Sequence, residues 1–317
     1  MGSEKEEVKW PLSTTHMNSW LLRSVSEFRE IQERTLNSAL ERIKAKGIDS
    51  DLPTLEDELW LVRFYAFQLS RFLVANHMKD AVKETALTFF NRFYLMRSML
   101  EHDPRLIMFT CITLAIKLED VWRNYYVDKL LGAVEGLNVS KVFELEATVC
   151  DALNFNFLVL HTHDSMHILR MKCMEVCSKF LNILSMFQFL KECLGIDDEI
   201  LGEHLGLILS VCNDAEKDAV QMHERPEFIF LYTPTQLAVA NFVRYSKRKL
   251  GTLISVDKFL TNKLLYGNES QLEPLNKVIK DINDSYEEYL TERSTVDSHE
   301  QRAGAILDKY LPLYDVN

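Results

Sequence analysis

The sequence predicts an all-α protein built as two five-helix units in tandem, with one extra helix at each end. Three observations carry this expectation. Only 10 Gly and 7 Pro in 317 residues leave little punctuation for many hairpins or for Gly-rich phosphate loops. The stretch from Asp103 to Asp120 opens with a capping carboxylate and a proline at the first helical position. From Leu106 to Ile116 it carries no charge and is apolar on every side of the helical wheel, which places it among other helices rather than at a surface. Finally, the stretch from Leu231 to Ala240 restates that opening, with Thr233 as N-cap, Pro234 at the first position and Gln236 where a capping box needs it.

The elements follow in order. Residues 1–16 read as a tail, with Trp10 as an anchor. Apolar residues then recur from about Met17 at helical spacing (Leu21, Val25, Phe28, Ile31, Leu36, Leu40, Ile43), and Gly47 stops the helix. Thr54 and Asp57 form a capping-box start behind Pro53, followed by Leu55, Leu59, Val62, Ala66, Leu69 and Leu73. A second helix covers Asp80 to Met96, and the apolar helix after Asp103 is the third. Tyr126 to Val134 reads as a short helix and Ser140 to Leu153 as the fifth. The pattern restarts with His163 to Leu190, Asp197 to Asp214, the helix after Thr233, a short helix at Val256 to Leu265, and one opened by Ser270 and Glu273. Ser298 and Gln301 cap a last helix that Pro312 ends. The run from Phe228 to Tyr232 could be extended, but a strong cap follows it at once. The expected division is 1–50 for the tail and first helix, 51–160 and 161–292 for the two units, and 293–317 for the last helix.

Composition excludes several functional classes. A net charge of −11 argues against a direct nucleic-acid binder, which would show a basic face. No apolar signal region follows Met1, and the longest apolar stretches, such as Phe180 to Leu190, are too short to span a membrane. Six Cys without a CxxC pair fit a reducing compartment. The expectation is a soluble intracellular protein. None of the phosphate-loop, nucleophile-elbow or zinc-protease motifs occurs, so nothing in the sequence supports catalysis.

Among residues that could carry chemistry, Lys117 closes the buried helix. Taken alone it reads as a cation favoured by the helix C-terminus. Glu146 is more informative, because Val142, Phe143, Val149, Cys150 and Leu153 surround it on the wheel. A carboxylate on such a face needs a partner, and Lys117 is the candidate. His161, His163 and His167 cluster, but with no acidic or Cys partner at ligand spacing they read as a helix start, and no metal is expected. Cys173 and Cys177 share a face and read as small buried hydrophobes. The run from Arg244 to Lys249 precedes Gly251 and reads as charge complementing a helix end.

Two tandem five-helix units, each with an apolar third helix opened by Pro, resemble the cyclin fold. Asn91-Arg-Phe-Tyr-Leu95 looks like the end of the second cyclin-box helix, and Phe109-Thr-Cys-Ile-Thr-Leu-Ala-Ile-Lys-Leu-Glu-Asp120 like the family's third. Glu146 followed by Leu153-Asn-Phe155 looks like the fifth. The stretch from Met99 to Cys111, that from Leu231 to Leu237, and the extra terminal helices are most similar to the H type of the family. The resemblance covers roughly residues 10–311. It implies a non-catalytic regulatory subunit, without cofactor, that activates a cyclin-dependent protein kinase acting on other such kinases and on the C-terminal repeats of RNA polymerase II. It further implies a RING-type assembly factor, a general transcription factor complex and a nuclear location. The neighbouring expectations are another transcriptional cyclin, the C type of the Mediator kinase module, and a cyclin-fold adaptor of the general factor B type. The family assigns kinase contact to Lys117, Leu118, Glu119, Glu146, Cys150, Phe155 and Phe157. Two features depart from it. The first helix reads Leu59-Trp-Leu-Val-Arg-Phe-Tyr65, without the Met-Arg-Ala-Ile-Leu patch that captures substrate motifs, and Gly195 to Phe228 is longer than the family needs.

Overall fold

The computed structural model describes residues 14, 16–47, 52–121, 127–178, 201–251, 255–295 and 300–314. Helices account for the regular structure among the described residues, with no strand. The first helix, α1 (Val25–Ala45), begins later than the spacing suggests. A single π-turn spans His16–Trp20, the chain breaks, and Ser24 then caps α1 by accepting from the Glu27 amide. Val25 is therefore exposed, and the buried stripe is Phe28, Leu36, Ala39 and Ile43. Gly47 ends the helix at φ +81, a conformation that Gly adopts without steric cost.

Then come α2 (Leu55–Ala75), α3 (Asp80–Met96) and α4 (Pro104–Leu118). The capping box at Thr54 and Asp57 is present, and Asp103 accepts from the Arg105 amide at 2.8 Å. Every residue of α4 from Ile107 to Ile116 is buried, as an all-round apolar helix requires. Its two internal threonines are satisfied locally: Thr110 donates to the Leu106 and Val142 carbonyls, and Thr113 to that of Phe109. Next, α5 (Val127–Gly132), α6 (Val139–Glu144) and α7 (Glu146–Ala152) close this unit. The predicted helix from Ser140 to Leu153 is thus two, broken at Leu145 so that α7 begins on Glu146.

The second unit opens with α8 (Thr162–Ser178); the remainder of the predicted helix to Leu190 lies outside the described residues, as does Trp10. Most of the long segment from Gly195 to Phe228 is a single helix, α9 (Leu201–Met222), eight residues longer at its end than the predicted stop at Asp214. The following run is helical rather than extended, as α10 (Pro226–Leu231). Next is α11 (Pro234–Leu250), with its predicted capping box, and α12 (Val256–Phe259) runs into a π-turn over Leu260–Leu264. A 3-10 turn at Glu269–Gln271 precedes α13 (Leu272–Thr295). The last helix, α14 (Glu300–Tyr314), continues past Pro312; its predicted cap at Ser298 lies outside the described residues.

Two hydrophobic cores result. One gathers α2, α3, α4 and α7 and extends outward to Phe28 of α1, Phe230 of α10, and Ala303, Ile306 and Tyr310 of α14. The other gathers α8, α9, α11 and α13. The terminal helices both belong to the first, so each covers apolar surface that would otherwise face water. Polar contacts fasten the units together. Leu22 donates to the Phe230 carbonyl at 2.7 Å, Arg63 pairs with Glu227 at 2.6 Å, and buried Asn91 donates to the His223 carbonyl at 3.1 Å.

Lys247, Arg248 and Lys249 fall in the last turn of α11, as expected, and acids of neighbouring helices hold much of the basic run as well. Buried Arg244 pairs with Asp218 of α9 at 2.8 Å and lies over the Tyr286 ring of α13. Arg248 pairs with Glu287 at 2.6 Å, and Lys249 reaches Asp214 and Ser210. The sequence reading missed this because the partners lie 26 to 39 positions away.

Candidate functional site

Two helix ends meet on one face. α4 stops with Asp120 in the left-handed region at φ +48, while Asp120 and Val121 donate back to the Lys117 and Ile116 carbonyls. That is a Schellman termination, and it points Lys117 and Leu118 outward as Val121 tucks in. α7 stops in the same way. Asn154 and Phe155 donate to the Asp151 and Cys150 carbonyls, and both residues have positive φ, +50 and +54. Asn tolerates this conformation; for Phe it costs about 1–2 kcal/mol. The strain holds the Phe155 ring out, at 66% exposure.

The Lys117 ammonium donates to both Glu146 oxygens, at 2.8 and 2.6 Å. Each charge sits at a helix end that favours it, the cation in the last turn of α4 and the anion in the first turn of α7. The pair is only partly buried, at 46% and 25% side-chain exposure, so Glu146 is less enclosed than its apolar wheel neighbours suggest. Around it Leu118 and Phe143 are exposed, and the Phe143 ring centroid lies 5.8 Å from the ammonium. Phe155 and Phe157 meet edge to face at 5.9 Å, and Phe157 packs inward against Phe89. Cys150 is half-buried; burial, with help from Glu146, raises its thiol pKa, which leaves it a small apolar surface and not a nucleophile. Exposed Leu158 extends the apolar rim.

Glu119 faces a different direction. It accepts from the Thr85 hydroxyl at 2.6 Å and lies 3.5 Å from His161, and these contacts hold its carboxyl below the ordinary range. The structure therefore brings together Lys117, Leu118, Glu146, Cys150, Phe155 and Phe157, and turns Glu119 towards the connection between the units. Phe143 and Leu158 were missed as site residues. A helix break at Leu145 would have revealed Phe143, since it places that ring on the far side of Glu146.

The site is a cationic donor balanced by an acid within an exposed apolar ring. The architecture is that of a cyclin-fold protein. Residues 68–158 match the cyclin N-terminal domain. Its relatives include cyclin mcs2 of Schizosaccharomyces pombe (30% identical over 159 residues, 46% of this chain and 49% of that one) and cyclin-H1-1 of Arabidopsis thaliana (28% over 230 residues, 72% and 60%). Cyclin-H of Xenopus laevis is 33% identical over 159 residues, 46% of this chain and 49% of that one. The chain thus spans about half to three fifths of the length of these curated relatives. In structure it is similar to a chain of the CAK complex of Chaetomium thermophilum bound to ATP-gamma-S, with a TM-score of 0.68 at 19% identity over 95% of this chain and 86% of that one. It is also similar to a chain of the yeast TFIIK (Kin28/Ccl1/Tfb3) complex, at 0.59 and 21%, over 85% and 98%.

Proposed function

We propose that this chain is a cyclin H-like regulatory subunit that binds a cyclin-dependent protein kinase catalytic subunit and activates it, without catalysis of its own. Residues 51–160 and 161–292 would be its two cyclin boxes. The observation that carries the reading is the Lys117–Glu146 pair, presented where two strained or tightly closed helix ends meet and ringed by Leu118, Phe143 and Phe155. A lysine has three rotatable donors and no planar geometry to satisfy, so it suits carbonyls at the end of a partner segment. Glu146 keeps that ammonium in place before the partner arrives, and the exposed aromatic rings supply apolar area. Cys150 and Phe157 form the floor, and Glu119 fixes the end of α4 from behind.

Activation then follows from linkage. A kinase needs its catalytic Lys–Glu pair assembled, and the helix carrying that Glu moves between in and out positions. A rigid cyclin face that binds the inward arrangement more tightly raises its population by that differential affinity. The similar yeast chain belongs to a three-part TFIIK complex of Kin28, Ccl1 and Tfb3, which supports a RING-type assembly factor here, a general transcription factor complex as the setting, and a nuclear location. No helix among the described residues is long and apolar enough to cross a membrane. The basic run on α11 is neutralised by Asp218, Glu287 and Asp214, which supports no direct contact with nucleic acid.

The test is reconstitution with a purified kinase catalytic subunit of the CDK-activating type. A one-to-one complex by size-exclusion chromatography with light scattering is the expected result. Separate elution at micromolar concentrations of both would remove the reading.

A further inference from the structure

Where the first unit passes into the second, the carboxylates of Glu84, Glu119 and Asp164 and the imidazoles of His161, His163 and buried His223 are packed around the first turn of α8. His161 Nδ1 lies 3.4 Å from one oxygen of Asp164, and His163 Nε2 lies 3.4 Å from the other. The two rings stack at 5.0 Å, and one ligand atom from each of the three residues falls within 4.8 Å of the others. We infer that His161, His163 and Asp164 bind a divalent transition-metal cation of the zinc type.

Ligand spacing is the first support. Zinc bonds of about 2.0–2.1 Å in tetrahedral geometry leave neighbouring ligand atoms about 3.3 Å apart, close to the 3.4 Å at which each imidazole stands from its own oxygen of Asp164. The two imidazole ligand atoms, within 4.8 Å of each other, must also approach that spacing to complete the set.

The independent support lies behind the imidazoles. A metal-bound histidine almost always gives its other ring nitrogen to a carboxylate or carbonyl, which fixes the ring and raises its basicity. Here the far nitrogen of His161, Nε2, faces the Thr85 hydroxyl at 2.9 Å and Glu119 at 3.5 Å. The far nitrogen of His163, Nδ1, is buried and stands 3.3 Å from Glu84, without the geometry of a hydrogen bond. Glu84 is itself immobile: it is fully buried and accepts from the Thr162 amide at 2.6 Å and the His163 amide at 3.0 Å. Both rings are thus backed by acids from α3 and the end of α4, with their near nitrogens turned to one shared carboxylate.

Glu84, Glu119 and Asp164 lie around His161 and His163, and the buried His223 stands 3.7 Å from Glu84 on its other side. Asp164 is 67% exposed, which leaves an entry path and an open fourth position for water. His167, the third histidine of the sequence cluster, is not part of the group. Asp164, directly beside His163, supplies the acid that a search for ligand spacing passes over. A metal held there would clip α8 to α3 and α4.

The test uses the full chain, stripped with EDTA and exchanged into metal-free buffer, and titrated with ZnCl2 by calorimetry and by thermal melting. One saturable site of micromolar affinity or tighter is expected, with a rise in melting temperature as zinc exceeds that affinity. Asp164→Asn, at an exposed position that leaves the fold intact, should weaken binding by at least about tenfold, as should His163→Ala. Glu119→Gln, which removes the carboxylate behind His161, should weaken it by about 10–100-fold. His167→Ala should bind as wild type does. Absence of a saturable site, or equal zinc affinity in Asp164→Asn and wild type, would overturn the assignment.

Discussion

Lys117 and Glu146 lie 29 positions apart in sequence and meet at 2.6 Å. In the free chain this partly exposed pair contributes only about 0.2–1 kcal/mol. Covered by a partner it would be desolvated, and truncating one member would cost about 2–5 kcal/mol of binding. Lys117→Ala should therefore melt almost as wild type does and lose most of its affinity for the kinase, by calorimetry. Glu146→Ala should behave similarly, and the double variant should lose much less than the sum of the singles if the two act as a unit. Equal affinity of Lys117→Ala and wild type would place the partner elsewhere. Both residues were legible in the sequence, Lys117 as the first charge after a buried helix and Glu146 as the one acid on an apolar face. Phe143 was not, because a continuous helical pattern through Leu145 hides a break made by tertiary packing. The pairing of Arg244 with Asp218 was equally hidden, since distant partners leave no local spacing.

At the scale of the element, caps and apolar periodicity were what could be read. The boxes at Thr54 and Thr233 form as their residue types dictate. Thr233→Ala should cost about 0.5–2 kcal/mol in a denaturant melt and leave kinase affinity unchanged, because α11 lies in the second core. A large loss of affinity at unchanged stability would move the interface to the second unit. Another element is fastened by an acid that the sequence does not advertise. Glu58 of α2 is buried and accepts from the Ser98 hydroxyl and the Met99 amide, both at 2.9 Å. Burial pushes its carboxyl up to about 7, against those hydrogen bonds. Between its ordinary 4.5 and 7 the folded chain keeps a proton that the unfolded chain has released. Its contribution is complete below 4.5 and is lost as pH rises through 7, with a slope of up to about 1.4 kcal/mol per pH unit. Glu58→Gln should flatten the fall in stability over that window. An unchanged pH profile of the melting temperature would contradict the assignment.

For the whole molecule, the duplication and the all-helical class could be read from two restated Pro-opened helices. The way the ends fold back could not. α1 and α14 both join the first core, and α1 bridges to the second unit through Phe28, whose ring lies 5.6 Å from that of Phe230. Amphipathic stripes say that something covers them, not what. Deleting residues 1–46 should bare that surface and lower the melting temperature by several degrees, since large buried side chains each contribute about 1.5–3 kcal/mol. A truncated chain that melts like the full one would show that α1 is not docked. The central claim is that the face formed by α4 and α7 activates a kinase. Its most direct measurement is the phosphorylation rate of a fixed amount of kinase catalytic subunit as the chain is titrated in, comparing wild type with Phe155→Asn. Phe155 is 66% exposed with φ +54, so asparagine keeps the left-handed backbone and removes only the projecting ring. Wild type should raise the rate to a plateau, and Phe155→Asn should need about 10–100-fold more protein to reach it. Coincident curves for the two would contradict the account.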